Sequence, residues 1–145
     1  MLELTEDMSV IAALIEHPDI IGSVEKELVT PMEEIGLQNL LEETRKYFYF
    51  FLFKEDSIPK GFISFYKGKH TAFAHTGFLK EFRGPKAFEA GKSAIDYMFR
   101  NTKYKELGAE IPVSNTSAVK YALQFGFKIE STDNNIVKMI LSKDI

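Results

Sequence analysis

A chain of 145 residues with 45% hydrophobic and 27% charged residues has the size and balance of one globular domain, and residues 1–145 are read as a single domain. A net charge of −3 disfavours a sequence-independent nucleic-acid binder, and the absence of cysteine excludes a disulfide framework, a thiolate metal site and a thiol nucleophile. The acidic start "MLELTEDMSV" lacks a basic flank ahead of an apolar run, and no stretch approaches a membrane span, so the expectation is a cytoplasmic protein with no membrane partner.

In chain order, residues 2–4 read as a short first strand. Thr5 is expected to cap a helix over "EDMSVIAALIEH", whose Met8, Ile11, Ala12 and Ile15 repeat at three- and four-residue spacing and which Pro18 ends. A second helical piece is expected from Ile20 to Leu28, and "TPMEEIGLQNLLEE" reads as a turn with a short helix. The period then changes. "KYFYFFLFKED", "KGFISFYKG" and "HTAFAHTGFLK" are strand-like runs with hairpin-length joins, which predicts an antiparallel meander. The unbroken apolar run "YFYFFLF" suits a strand buried on both faces. Lys60, Lys67 and Lys69 stand among aromatic residues and are read as protecting hairpin edges, with no nucleic-acid partner expected.

"GPKAFEAGKSAIDYMFRN" predicts a helix with Pro85 in its first turn and Ala87, Ala90, Ala94 and Met98 on one close-packing face. "YKELGAEIPV" alternates as a strand, with Leu107, Ala109, Ile111 and Val113 on its apolar side. "NTSAVKYALQFG" is a helix capped by Asn115 and ended by Gly126, and a last hairpin turns at "DNN". The order βααβββαβαββ is that of an α/β (α+β) fold, a mixed, largely antiparallel sheet with helices on both faces.

This order and two motifs together resemble the GNAT N-acetyltransferase superfamily over nearly the whole chain. In "EFRGPKAFEA" the family's loop pattern Gln/Arg-x-x-Gly-x-Gly/Ala is followed from Arg83, with Gly84 next; its first glycine falls on Lys86 and its final small residue on Phe88. In "EIPVSNTSAVKYALQFGF", Asn115, Ala118, Gly126 and Phe127 stand at the family's spacing. The resemblance implies an acetyl-CoA-dependent N-acetyltransferase working by direct attack of an amine in a ternary complex. It implies that the pyrophosphate is held at the loop by Arg83, Gly84, Pro85, Lys86, Ala87 and Phe88, where a helix start offers unpaired N–H donors. Phe78 and Leu79 match the strand that supplies main-chain donors, and Asn115 would lie near the pantetheine arm.

Acetyl transfer also needs a proton acceptor for the amine and a donor for the departing thiolate. His75, on the strand before the loop, and Glu110, on the neighbouring strand, are the candidate bases. The family's general-acid tyrosine position falls on Ala122. Tyr121 stands one residue earlier, about 100° around the helix, and is the candidate acid if the helix is shifted. No metal is expected, since there is no cysteine and no His-x-x-x-His, and His70 and His75 are five residues apart on a strand. The resemblance implies a small-molecule or peptide amine as the acceptor, and the residues do not choose between them. The edge next to the carboxy-terminal hairpin permits sheet pairing in a homodimer. Lys86, Phe88 and the displaced tyrosine favour a second reading: a catalytically silent member with a structural, assembly or binding role, as in small phage-encoded proteins of this kind, with virion partners. An enzyme should keep an open groove between the strands of His75 and Glu110, whereas a binding protein should fill it.

Overall fold

The computed structural model describes residues 3–21 and 36–143. Its elements are β1 (Glu3–Leu4), α1 (Met8–Glu16), α2 (Pro18–Ile21), α3 (Leu37–Thr44), β2 (Phe48–Glu55), β3 (Ile58–Lys67) and β4 (Ala72–Phe78), then α4 (Pro85–Asn101), β5 (Glu106–Pro112), α5 (Thr116–Gln124), β6 (Lys128–Asp133) and β7 (Ile136–Ser142). The strands form one sheet in the order β1-β2-β3-β4-β5-β7-β6. Every neighbouring pair is antiparallel except β4 and β5, which run parallel.

The expected order of strands and later helices is met, but three helices, not two, are described between β1 and β2, and the other differences fall mostly in the same region. Asp7, not Thr5, caps α1: its side chain accepts from the Ser9 N–H, while Thr5 Oγ1 accepts from the Asp7 N–H. Helix α1 stops at Glu16, and Pro18 opens the next turn instead of closing the first, the position where its fixed φ and missing N–H do no harm. The helix expected over Ile20 to Leu28 is described only as far as Ile21, within α2; the remainder lies outside the described residues. The short helix of the ambiguous stretch is α3. At the other end, Val113 lies beyond β5 and is exposed.

The sheet separates two cores. Phe51 and Phe53 of β2 pack towards α4 with Ile63, Leu107 and Met139, while Phe50 and Leu52 of the same strand pack towards α1 and α3 with Phe62. A period of two in the strand divides its phenylalanines between the faces, which is why the run is apolar throughout. Two hairpins turn through paired positive-φ residues, Asp56–Ser57 and Asn134–Asn135, as tight two-residue turns require. Helix α4 lays Ala87, Ala90, Gly91, Ala94 and Met98 on the sheet side. Among the described residues no helix is long and apolar enough to cross a membrane.

Gly91 sets how closely α5 approaches α4. A Cβ there would lie 2.3 Å from Phe125 Cζ and 2.5 Å from the Tyr121 hydroxyl. Alanine is the better helix former by about 1 kcal/mol, but two packed aromatic rings would have to move, and the overlap wins. Gly91→Ala should therefore lower stability by about 1–2 kcal/mol in urea unfolding; an equal or higher midpoint would show that α5 yields freely.

Candidate functional site

The parallel pair β4–β5 is joined only at its beginning, where Ala72 partners Leu107 and Phe73 partners Gly108. Beyond these two positions each strand stays paired on its outer edge alone, β4 with β3 and β5 with β7. The inner edges part, and a cavity of about 350 Å³ passes between them. On the α4 side it is lined by Gly91, Ile95, Ala118, Tyr121 and Phe125; on the opposite side it runs beneath Ile15, Leu37, Leu41, Phe48, Phe50 and Phe62.

His75 and Glu110 stand on the two lips of this opening. On β4, Ala72 and Phe78 belong to the core beneath α4, so His75 projects to the α1–α3 face; on β5, Leu107, Ala109 and Ile111 belong to that same core, so Glu110 projects with His75. Both side chains are exposed and both line the cavity. The structure thus brings the two candidate bases together on one face.

The main-chain donors follow the same alternation. The Leu79 N–H donates to the Lys60 carbonyl at 2.9 Å, so Gly77 and His75 also direct their N–H groups towards β3. Thr76 and Phe78 direct theirs into the opening. Leu79, expected as a donor to the cofactor, is thereby corrected: its N–H is engaged within the sheet and its side chain is buried among the amino-terminal helices. Thr76 and Phe78 are the β4 residues whose N–H groups face the opening. Period two counted back from Phe78 was the signal that could have identified Thr76.

The loop leading into α4 is braced from several sides. Lys60 Nζ binds Glu81 at 2.7 Å. Arg83 donates from Nε to the Phe78 carbonyl at 3.2 Å and from Nη2 to the Asp19 carbonyl at 2.7 Å, so its guanidinium holds the loop in place. The Asp19 carboxylate accepts the Lys80 N–H at 2.9 Å. That bond above all, helped by His17, Lys80 and Arg83 nearby, holds the Asp19 carboxyl below the usual aspartate range. Asp19 and Glu55, which pairs with Lys86, were not picked out from the sequence; they lie far from the loop along the chain.

Gly84 caps α4 with φ +91° and ψ −135°, and nothing lies within 4 Å of where its Cβ would stand. Pro85 has no N–H, and the first helical bond at this end runs from the Phe88 N–H to the Gly84 carbonyl at 3.0 Å. The N–H groups of Lys86 and Ala87 therefore belong to the first turn, where helices leave donors over for an anion. The two large residues in the loop are both turned aside. Lys86 reaches Glu55, whose carboxyl this contact holds below the usual range. The Phe88 ring stacks on Phe125 with centroids 5.0 Å apart and planes 6° from parallel. The glycine end stays open.

Asn115 caps α5, accepting the Ala118 N–H at 3.2 Å, and lines the cavity. The Tyr121 hydroxyl donates to the Ala87 carbonyl at 2.6 Å and its ring meets Phe78 and Phe125 edge-on. Burial raises its pKa above the ordinary tyrosine value, so in this arrangement the proton is held firmly and shared with a backbone carbonyl. Tyr121 stands as a brace between α4 and α5. Of the hairpin lysines, Lys60 is engaged by Glu81, and Lys67 donates to the Lys46 carbonyl while lying over the Tyr49 ring.

No protein-family model matches the sequence, and no curated protein matches it either. Solved structures do match. The N-acetyltransferase PseH of Campylobacter jejuni, in complex with acetyl coenzyme A, superposes with a TM-score of 0.73 at 19% identity over 99% of this chain and 100% of that one. The spermidine N-acetyltransferase of Vibrio cholerae, in complex with CoA and spermine, gives 0.75 at 16% identity over 99% and 95%. The chain thus shares the fold of these N-acetyltransferases over nearly all of its length, as the resemblance implied.

Two outcomes test the loop. Gly84→Ala has room for its methyl group but not the backbone, and should cost about 1–3 kcal/mol in urea unfolding; no loss would refute the strained cap. Asp19 titrates lower when folded, so its contribution is complete above the unfolded value of about 3.9 and fades as pH falls through the depressed one. Asp19→Asn should therefore be less stable than the parent at neutral pH, with the gap closing in acid. A gap that does not change with pH would contradict this.

Proposed function

We propose that the protein is an acetyl-CoA-dependent N-acetyltransferase in which an amine attacks directly within a ternary complex. The observation that carries this reading is the opening between β4 and β5, a passage through the sheet with a helix N-terminus at one side and an imidazole and a carboxylate, His75 and Glu110, on the other face. Bound acetyl-CoA would supply an acetyl group activated as a thioester. The Lys86 and Ala87 N–H groups and the α4 dipole suit its pyrophosphate, with Gly84 leaving the approach clear. The Thr76 and Phe78 N–H groups face the passage, where they can bind the arm and polarise a carbonyl oxygen. Asn115 borders the same passage.

On the other face, Glu110 attracts the ammonium form of the acceptor, and His75 takes its proton so that the nitrogen lone pair can attack. The thiolate has to be protonated as it leaves. Tyr121 serves in that step only if its bond to the Ala87 carbonyl opens. The second reading, a binding or assembly protein that keeps the fold, draws on one specific observation: the Phe88–Phe125 stack and the Tyr121–Ala87 bond draw α4 and α5 together beside the loop.

Calorimetry with acetyl-CoA separates the two readings. The enzyme reading predicts micromolar binding that Gly84→Glu abolishes while circular dichroism stays native. It also predicts that His75→Ala keeps cofactor affinity but loses about 10²–10⁴ in kcat. No binding at millimolar cofactor would leave the binding or assembly role, and unchanged turnover in His75→Ala would remove His75 as the base.

A further inference from the structure

We infer that the acceptor is a primary amine carried on a compact apolar body of aromatic size, and not a polyamine; this rests on the acetyl-transfer reading above. The floor of the acceptor side is a row across three adjacent strands, Phe50 opposite Ser64 and Ser64 opposite His75. Strands lie about 4.8 Å apart, so Phe50 stands roughly 10 Å from His75 with Ser64 between them. The neighbouring row closes over a glycine: a Cβ on Gly77 would lie 2.5 Å from the Phe62 ring and 3.0 Å from Ile20 Cγ2. Phe48 stacks on Phe50 with centroids 5.4 Å apart, and Leu37, Leu40 and Leu41 of α3 form the roof. An amine whose nitrogen reaches His75 and Glu110 therefore lays the rest of its body along Ser64 and against Phe50, Phe48 and Phe62.

Charge decides which body fits. Among the described residues lining the cavity, Glu110 is the one carboxylate, and it stands at the nitrogen's end. Within that described lining, a second ammonium group would come to rest against Phe50 or the leucines of α3. The attraction of a phenylalanine face for a cation is smaller than the hydration lost there, so a polyamine is disfavoured. A single ammonium with an apolar tail keeps its one charge at Glu110 and buries carbon against carbon.

The purified full chain would first be titrated with acetyl-CoA in the calorimeter, then assayed for thiol release with phenethylamine and with spermidine. The expected result is a kcat/KM for phenethylamine at least about tenfold above that for spermidine. Phe50→Leu should reduce that ratio mainly through KM, and Thr44→Glu, a carboxylate placed on the half-buried rim, should narrow it without touching the floor. Equal or better turnover of spermidine overturns the inference, and so does acetyl-CoA binding with no binding or turnover of phenethylamine. Failure of acetyl-CoA to bind is seen before any amine is added and overturns the acetyl-transfer reading itself.

Discussion

The site depends on two strands that pair for two residues and then part. Beyond those two residues β4 is held by β3 and β5 by β7 over their full length, so the inner edges can part and leave their main-chain groups facing the opening. The twist of a sheet rotates each strand against the next, and where a parallel pair is held only at one end that rotation opens a wedge. The root of the wedge is a close fit: a Cβ on Gly108 would stand 2.9 Å from the Phe73 ring. On the inner edge of β5, Pro112 sits in register with the residues that turn away from β7, so its missing N–H breaks no ladder bond. From this one geometry come the passage, the donors on its β4 edge and the placing of His75 and Glu110 on a common face.

The loop beside the passage shows how a sequence can depart from a glycine pattern and keep its shape. What an anion needs from a helix end is backbone that can be approached and N–H groups left over. Gly84 provides the first through a left-handed backbone with open space above it, and the first turn of α4 provides the second. Lys86 and Phe88 are large, but size matters only along the line of approach, and each finds a partner to the side, in Glu55 and in Phe125. The bonds of Arg83, Lys60 and Asp19 hold the loop in one conformation before anything binds, which lowers the ordering cost of binding.

Much of the fold was legible because it rests on local period and punctuation. The switch from 3.6 to 2 before Tyr47, the doubly apolar run through Phe53 and the close-packing alanines of α4 each reflect which side of an element is buried. The helix cap at Asp7 was misread because Thr5, Asp7 and Ser9 are all capping residue types within one turn, and only the hydrogen bonds distinguish them. The site was legible in part. His75 and Glu110 could be placed on strands by parity, but which edge of β4 carries the usable donors depends on its register with β3, and Leu79 was the wrong choice for that reason. The parts set by long-range contact, Asp19 with the loop, Glu55 with Lys86 and the Phe50–Ser64–His75 row, leave no mark in a local stretch of sequence.

The central claim is that the parted strands and the start of α4 form one cofactor groove. Backbone amide resonances followed by NMR during an acetyl-CoA titration test it most directly, because they report on individual N–H groups. The account predicts that the amides of Thr76, Phe78, Lys86 and Ala87 shift together with a single affinity, while those of Gly77 and Leu79, bonded into the sheet, move far less. Shifts confined to the outer surface, or none at these four amides at saturating cofactor, would contradict it.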